Sequence, residues 1–165
     1  MAEYRPLRTD EISLLAEFLY LAIHQPAGAE PLPRSIIEVP DVAAYIAGWG
    51  RPEDLCLVAV EGTDVVGAAW TRVFPDDAPG YGTIAPGVPE LSMSVLPQHR
   101  GRGIGTELIR RLLGELASLG VPEVSLSVQQ SNPAHRLYRR LGFTVLHEHD
   151  GEWVMRQALQ TRTQG

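Results

Sequence analysis

The stretch from Leu91 to Leu116 constrains this chain more than any other. Leu91–Val95 is a short apolar run, and Pro97 ends it. Gly101, Gly103 and Gly105 then alternate with Arg100, Arg102 and Ile104. Leu108, Ile109, Leu112, Leu113 and Leu116 follow at helical spacing. A strand, a loop of bare backbone amides and a helix N-terminus, in that order, predict a layered α/β fold. They also form an anion site, because the amides point at the ligand and the helix dipole favours negative charge. Glycine supplies the backbone angles and leaves room for close approach. The pattern implies a ligand that carries phosphate.

Two common phosphate loops are excluded. The dinucleotide fingerprint needs G-x-G-x-x-G, and this loop reads G-x-G-x-G. A P-loop needs a lysine, and the sequence contains none. What remains is Arg100-x-x-Gly103-x-Gly105 after a strand. A second stretch, Ser131 to Phe143, opens on Ser131-Asn132-Pro133, carries Tyr138 and ends on Gly142-Phe143. Asn132 suits an N-cap, Pro133 a first helical position and Gly142 a C-terminal cap.

Together these stretches resemble the coenzyme A loop and the later motif of the GNAT N-acetyltransferase superfamily. The resemblance covers Pro89 to Phe143. It implies one N-acetyltransferase domain over residues 1–160, followed by a polar, disordered tail at 161–165. The implied fold is a mixed, mostly antiparallel sheet of about seven strands with a splayed parallel pair, flanked by about four helices.

Element signals agree. Tyr4–Leu7 reads as a strand, and Thr9 or Asp10 caps a helix through Ile12, Leu15, Leu19 and Ala22. Gln25 to Pro40 is proline-rich and reads as an irregular loop. Asp41 caps a helix through Val42, Tyr45 and Ile46 that ends near Gly48. Leu55–Val60 and Val65–Phe74 form a hairpin around Gly62-Thr63-Asp64. Pro75 to Pro89 is a Pro/Gly-rich loop. The motif strand Leu91–Val95 and its helix follow. Then come strand Val124–Val128, helix Pro133–Leu141, strand Phe143–His147 and strand Trp153–Gln157.

The net charge of −6 argues against a nucleic-acid partner. No run approaches membrane-spanning length, no signal segment opens the chain and no His/Cys cluster has metal-ligand spacing. A cytoplasmic protein without membrane or metal is the expectation. The single cysteine, Cys56, lies in an apolar run and reads as a buried strand residue.

The resemblance also implies chemistry. Acetyl-CoA is the co-substrate. Its pyrophosphate is expected on Arg100, Gly101, Arg102, Gly103, Ile104, Gly105 and Thr106. Its pantetheine arm is expected along Met93, Ser94 and Val95, paired like a strand. For that edge to be free the two parallel strands must splay, and in the family a bulge in the first of them makes the opening. Ser131 or Asn132 meets the arm; relatives carry an asparagine seven residues before the tyrosine, where this chain has Ser131. Tyr138 would protonate the leaving thiolate, and Glu90 would deprotonate the amine.

Candidate walls of the acceptor site are the Gln25–Pro40 loop, the Pro75–Val88 loop and the Glu148–Glu152 turn, with several acids that favour a cationic amine. A long proline-rich loop suits the cover of a small-molecule pocket. The expected acceptor is therefore a small-molecule primary amine. A protein or peptide acceptor and a non-catalytic acyl-CoA-binding module are the alternatives. The terminal strands could pair across a homodimer interface.

Overall fold

The computed structural model describes residues 1–160. The expected tail at 161–165 lies outside them. Seven strands form one sheet: β1 (Glu3–Pro6), β2 (Leu55–Glu61), β3 (Asp64–Arg72), β4 (Glu90–Val95), β5 (Glu123–Gln129), β6 (Thr144–His149) and β7 (Glu152–Ala158). Their order is β1-β2-β3-β4-β5-β7-β6. Every neighbouring pair is antiparallel except β4 and β5. A crossover helix joins that parallel pair, as parallel strands require.

Four α-helices flank the sheet: α1 (Leu15–Ala22), α2 (Pro40–Ala43), α3 (Ile104–Ser118) and α4 (Ala134–Arg140). Alternation along β2 shows the two faces. Leu57 and Ala59 pack with Ile104, Leu108 and Leu112 of α3. Cys56, Val58 and Val60 pack with Leu15, Phe18 and Leu19 of α1. Strands buried on both sides read as apolar runs rather than alternating ones. Cys56 is buried and free, as its context predicts.

Three local expectations change. The expected first helix begins as a 3₁₀ turn over Thr9–Leu14. Glu11 turns back there to accept from the Arg8 amide and the Arg5 guanidinium. The expected second helix is α-helical only over Pro40–Ala43, with Val39 rather than Asp41 at its N-cap. The carbonyls of Ala44 and Ala47 beyond it accept from the Arg72 guanidinium at 2.9 and 2.6 Å. The proline-rich loop contains a 3₁₀ turn over Arg34–Glu38, and the Tyr20 hydroxyl anchors it by donating to the Leu32 carbonyl. At the far edge of the sheet, β7 lies between β5 and β6. The last strand therefore has no free edge; the open edges are β1 and β6.

Candidate functional site

The site begins as a gap in the sheet. β4 and β5 pair at one position, Glu90 opposite Ser125, where the Ser125 amide donates to the Pro89 carbonyl at 3.0 Å. Beyond it the strands diverge. β5 follows β7 through seven residue pairs from Glu123 to Gln129. β4 follows β3 in unbroken register from Arg72–Glu90 to Gly67–Val95. The bulge expected in β4 is absent from that register; the opening comes from divergence alone.

One edge of β4 is thus free. The Leu96 amide donates to the Val66 carbonyl, toward β3. Strand alternation then turns the amides and carbonyls of Met93 and Val95 toward the gap. Arg100 Nε occupies the Val95 carbonyl at 3.0 Å. The amide and carbonyl of Met93 and the amide of Val95 remain. Ser94, expected with its neighbours along the arm, is turned away. By the same alternation its backbone faces β3, and its hydroxyl donates to the Phe18 carbonyl at 2.7 Å.

At the Val95 end the gap opens into a cavity of about 400 Å³ lined by Val95, Arg100, Gly101, Gly103, Ile104, Gly105 and Thr106, with Leu137 and Arg140 opposite. Gly101 and Gly103 have φ of 78° and 81°, a region that side chains disfavour. A Cβ at either would meet no atom within 4 Å, so the space over them is open. Gly105 has a different reason: a Cβ there would lie 3.0 Å from Met93 Cε, so the glycine lets α3 close onto β4.

The side chain of Arg102 pairs outside the loop. It lies 3.7 Å from the Glu61 carboxylate, where His99 Nδ1 also sits at 3.0 Å. Arg140 takes a place that sequence reasoning did not give it. Two positions after Tyr138, it belongs to a run of arginines whose individual directions depend on how α4 docks. Ser131 is exposed. Asn132 Oδ1 accepts from the Ala134 amide at 2.9 Å, but α4 starts at Ala134 with Pro133 at its N-cap, one position later than expected.

Tyr138 is 8% exposed, with its ring edge-on to Phe143 at 5.9 Å. Burial pushes its hydroxyl up to about 12, which keeps it protonated at neutral pH. His135 packs edge-on against Trp153 at 5.0 Å. Trp70 is fully buried in the core, and Trp49 faces the Arg72 guanidinium.

Glu90 closes the narrow end of the gap. It is 3% exposed. Its Oε1 accepts from the Gly82 amide at 3.0 Å, and its Oε2 accepts from the Tyr45 hydroxyl. Burial raises its pKa to about 7, against the hydrogen bonds from Tyr45, Gly82 and Thr83. The Pro75–Val88 loop seals it. Ser125 Oγ donates to the Gly82 carbonyl at 2.7 Å, and a Cβ at Gly82 would lie 2.7 Å from the backbone of Leu126 and Ser127. Of the expected acceptor-side acids, Glu152 accepts from Ser127 Oγ and its charge adds to the rise at Glu90. Glu30, Glu38, Asp76, Asp77, Glu148 and Asp150 are exposed. Among the described residues no cluster of His, Cys, Asp or Glu is placed to hold a metal ion, and no helix is long and apolar enough to cross a membrane.

Comparison with known proteins agrees with this fold. The sequence model of the acetyltransferase (GNAT) family matches residues 20–143. A mycothiol acetyltransferase from Nocardioides sp. is 42% identical over 104 residues, which are 58% of this chain and 35% of that protein. The chain thus spans about a third of the length of this curated relative. Among solved structures, the GNAT domain of S. lividans PAT superposes with a TM-score of 0.69 at 18% identity, covering 96% of this chain and 90% of that one. PaiA N-acetyltransferase from Thermoplasma acidophilum, in complex with coenzyme A, superposes with a TM-score of 0.66 at 17% identity, covering 96% and 99%. The chain belongs to the GNAT acetyltransferase family.

Proposed function

We propose that this GNAT acetyltransferase moves an acetyl group from acetyl-CoA to the primary amine of a small molecule, by direct attack in a ternary complex. The observation that carries the reading is the continuity of the gap. An open amide loop lies at one end, a free strand edge runs along it, and a buried carboxylate sits at the other. Val95 lies five positions beyond Glu90, roughly 16 Å of strand.

The residues divide the work. The amides of Gly101 to Thr106 receive the pyrophosphate, with Arg100 and Arg140 beside them. Met93 and Val95 pair with the amides of the pantetheine arm. An arm running along this edge from the loop brings its thioester toward the Glu90–Ser125 junction. Glu90 takes a proton from the acceptor ammonium, directly or through water. A base with a pKa near 7 suits that transfer at neutral pH. The free amine attacks the thioester carbon, and a β4 backbone amide steadies the oxyanion. The C–S bond then breaks, Tyr138 gives its proton to the thiolate, and the second proton of the attacking nitrogen leaves through solvent, which reprotonates Tyr138.

A small-molecule acceptor is supported by the relative's name, a mycothiol acetyltransferase, and by the cap over Glu90. Expected localisation is cytoplasmic. A homodimer would form on β6, which is exposed along its length with Val145 and Leu146 at 38% and 48%.

The reading is tested at Gly103. Gly103→Val strains a positive φ and fills the space above the loop, so calorimetry should find acetyl-CoA affinity reduced at least about tenfold, roughly 1.4 kcal/mol. Unchanged affinity would remove the cofactor site from this loop.

A further inference from the structure

Tyr45 lies outside both sequence motifs, in the turn after α2, yet it organises the narrow end of the gap. Its hydroxyl makes two hydrogen bonds that fix its direction. It accepts from the Tyr81 amide at 2.9 Å, so its single proton goes to Glu90 Oε2. The ring is held on both sides. Phe74 meets it edge-on at 4.8 Å, and Tyr81 stacks on it at 6.2 Å with 11° between planes. Its carbonyl accepts from Trp70 Nε1 at 3.2 Å. Gly80 must be a glycine for this packing, since a Cβ there would lie 2.9 Å from the Tyr45 hydroxyl and 2.5 Å from Glu90 Oε1.

We propose that Tyr45 is a positioning residue of the acetyl-transfer site, which aims the Glu90 carboxylate and sets the pH at which it accepts a proton. This rests on the reading of Glu90 as the base. The groups that face Glu90 divide by the form they favour. From the cap, the Gly82 amide and the Thr83 hydroxyl favour the carboxylate. From β7, the charge of Glu152 disfavours it. From β3, Arg72 stands opposite Glu90 in register. Its guanidinium is spent on Asp54 and the carbonyls of Ala44 and Ala47. From β5, the Ser125 hydroxyl is spent on Gly82. The nearest strong cation is thus neutralised elsewhere, and Tyr45 is the main side-chain donor left to offset burial. Burial and the neighbouring carboxylate keep the phenol itself protonated.

Removing the hydroxyl therefore raises the proton affinity of Glu90. Tyr45→Phe keeps the ring between Phe74 and Tyr81. Its acidic limb of kcat/KM should move up by about one pH unit, a tenfold change in proton affinity. The KM for acetyl-CoA should stay near that of the parent, while the rate above the limb falls several-fold because the carboxylate is no longer aimed. A second variant guards against a merely structural effect: 3-fluorotyrosine placed at position 45 is a stronger donor and should move the limb down. The carboxyl carbon of Glu90, followed by ¹³C NMR, reports its titration whether or not it is the base. A carboxyl titration that shifts while the pH–rate profile stays still would retain Tyr45's hold on Glu90 but remove Glu90 as the base. A carboxyl titration identical in parent, Tyr45→Phe and the fluorotyrosine variant would overturn the proposal.

Discussion

The two ends of β4 are built in opposite ways. At Val95 the site is open and made largely of backbone amides from Val95–Thr106, within a dozen positions of one another, with Leu137 and Arg140 of α4 added. At Glu90 it is closed, made of side chains, and assembled from α2's turn, the Gly80–Thr83 cap, β5 and β7. The first end needs glycines so that a ligand can approach. The second needs glycines, Gly80 and Gly82, so that the protein can approach itself. A binding end gains from exposed donors, while a proton-transfer end gains from burial, because burial is what brings a carboxylate to neutral pH.

The contrast meets at Tyr138, which belongs to neither end. Tyr138→Phe keeps the contact with Phe143 and should leave acetyl-CoA affinity unchanged while the chemical rate falls about 10²–10⁴-fold. Single-turnover kinetics check it; a parent-like rate would mean that thiolate departure draws its proton from elsewhere.

The closed end makes a stability prediction. Glu90's folded pKa of about 7 exceeds its ordinary 4.5. Protonated Glu90 thus favours folding below pH 4.5, and that contribution is lost as pH rises through 7. Glu90→Gln cannot titrate. Urea unfolding should show the variant gaining on the parent between pH 4.5 and 8 by on the order of 2 kcal/mol. A constant difference across that range would mean that Glu90 does not titrate there.

Gly82→Ala forces a Cβ into the backbone of β5 and should cost about 1–3 kcal/mol by thermal unfolding. The equivalent change at Gly101 meets no atom and costs only the strain of its positive φ. A Gly82→Ala protein as stable as the parent would mean that β5 gives way to the added methyl. The smallest effect separates two arginines. Arg140→Ala should weaken acetyl-CoA binding several-fold. Arg102→Ala, whose side chain sits at Glu61, should leave it within about twofold.

Much of the fold could be read from the chain because its elements carry local marks. Apolar runs, a 3.6-residue period and the Gly62 and Gly142 turns depend on residues close in sequence. The mismatches fall where a distant partner intervened. Arg72 drew the Ala44 and Ala47 carbonyls out of an expected helix. Glu61 drew Arg102 from the phosphate loop. β6 took the outer edge from β7, since strand order depends on how the hairpin docks on β5 and not on either strand's pattern.

By itself the sequence determined the strand, glycine-rich loop and helix of β4 and α3, the tyrosine of α4 and the family to which the chain belongs. These features are contiguous, so short-range sterics and hydrogen bonds specify them. Tertiary structure decided the rest: that the gap opens without a bulge, that Ser94 turns away and that Arg140 lines the cavity. Above all it decided that Glu90 is buried. Neutral-pH titration of a carboxylate is a property of its surroundings, and those surroundings come from segments between 7 and 62 positions away along the chain, from Thr83 to Glu152. Only folding brings them to one point.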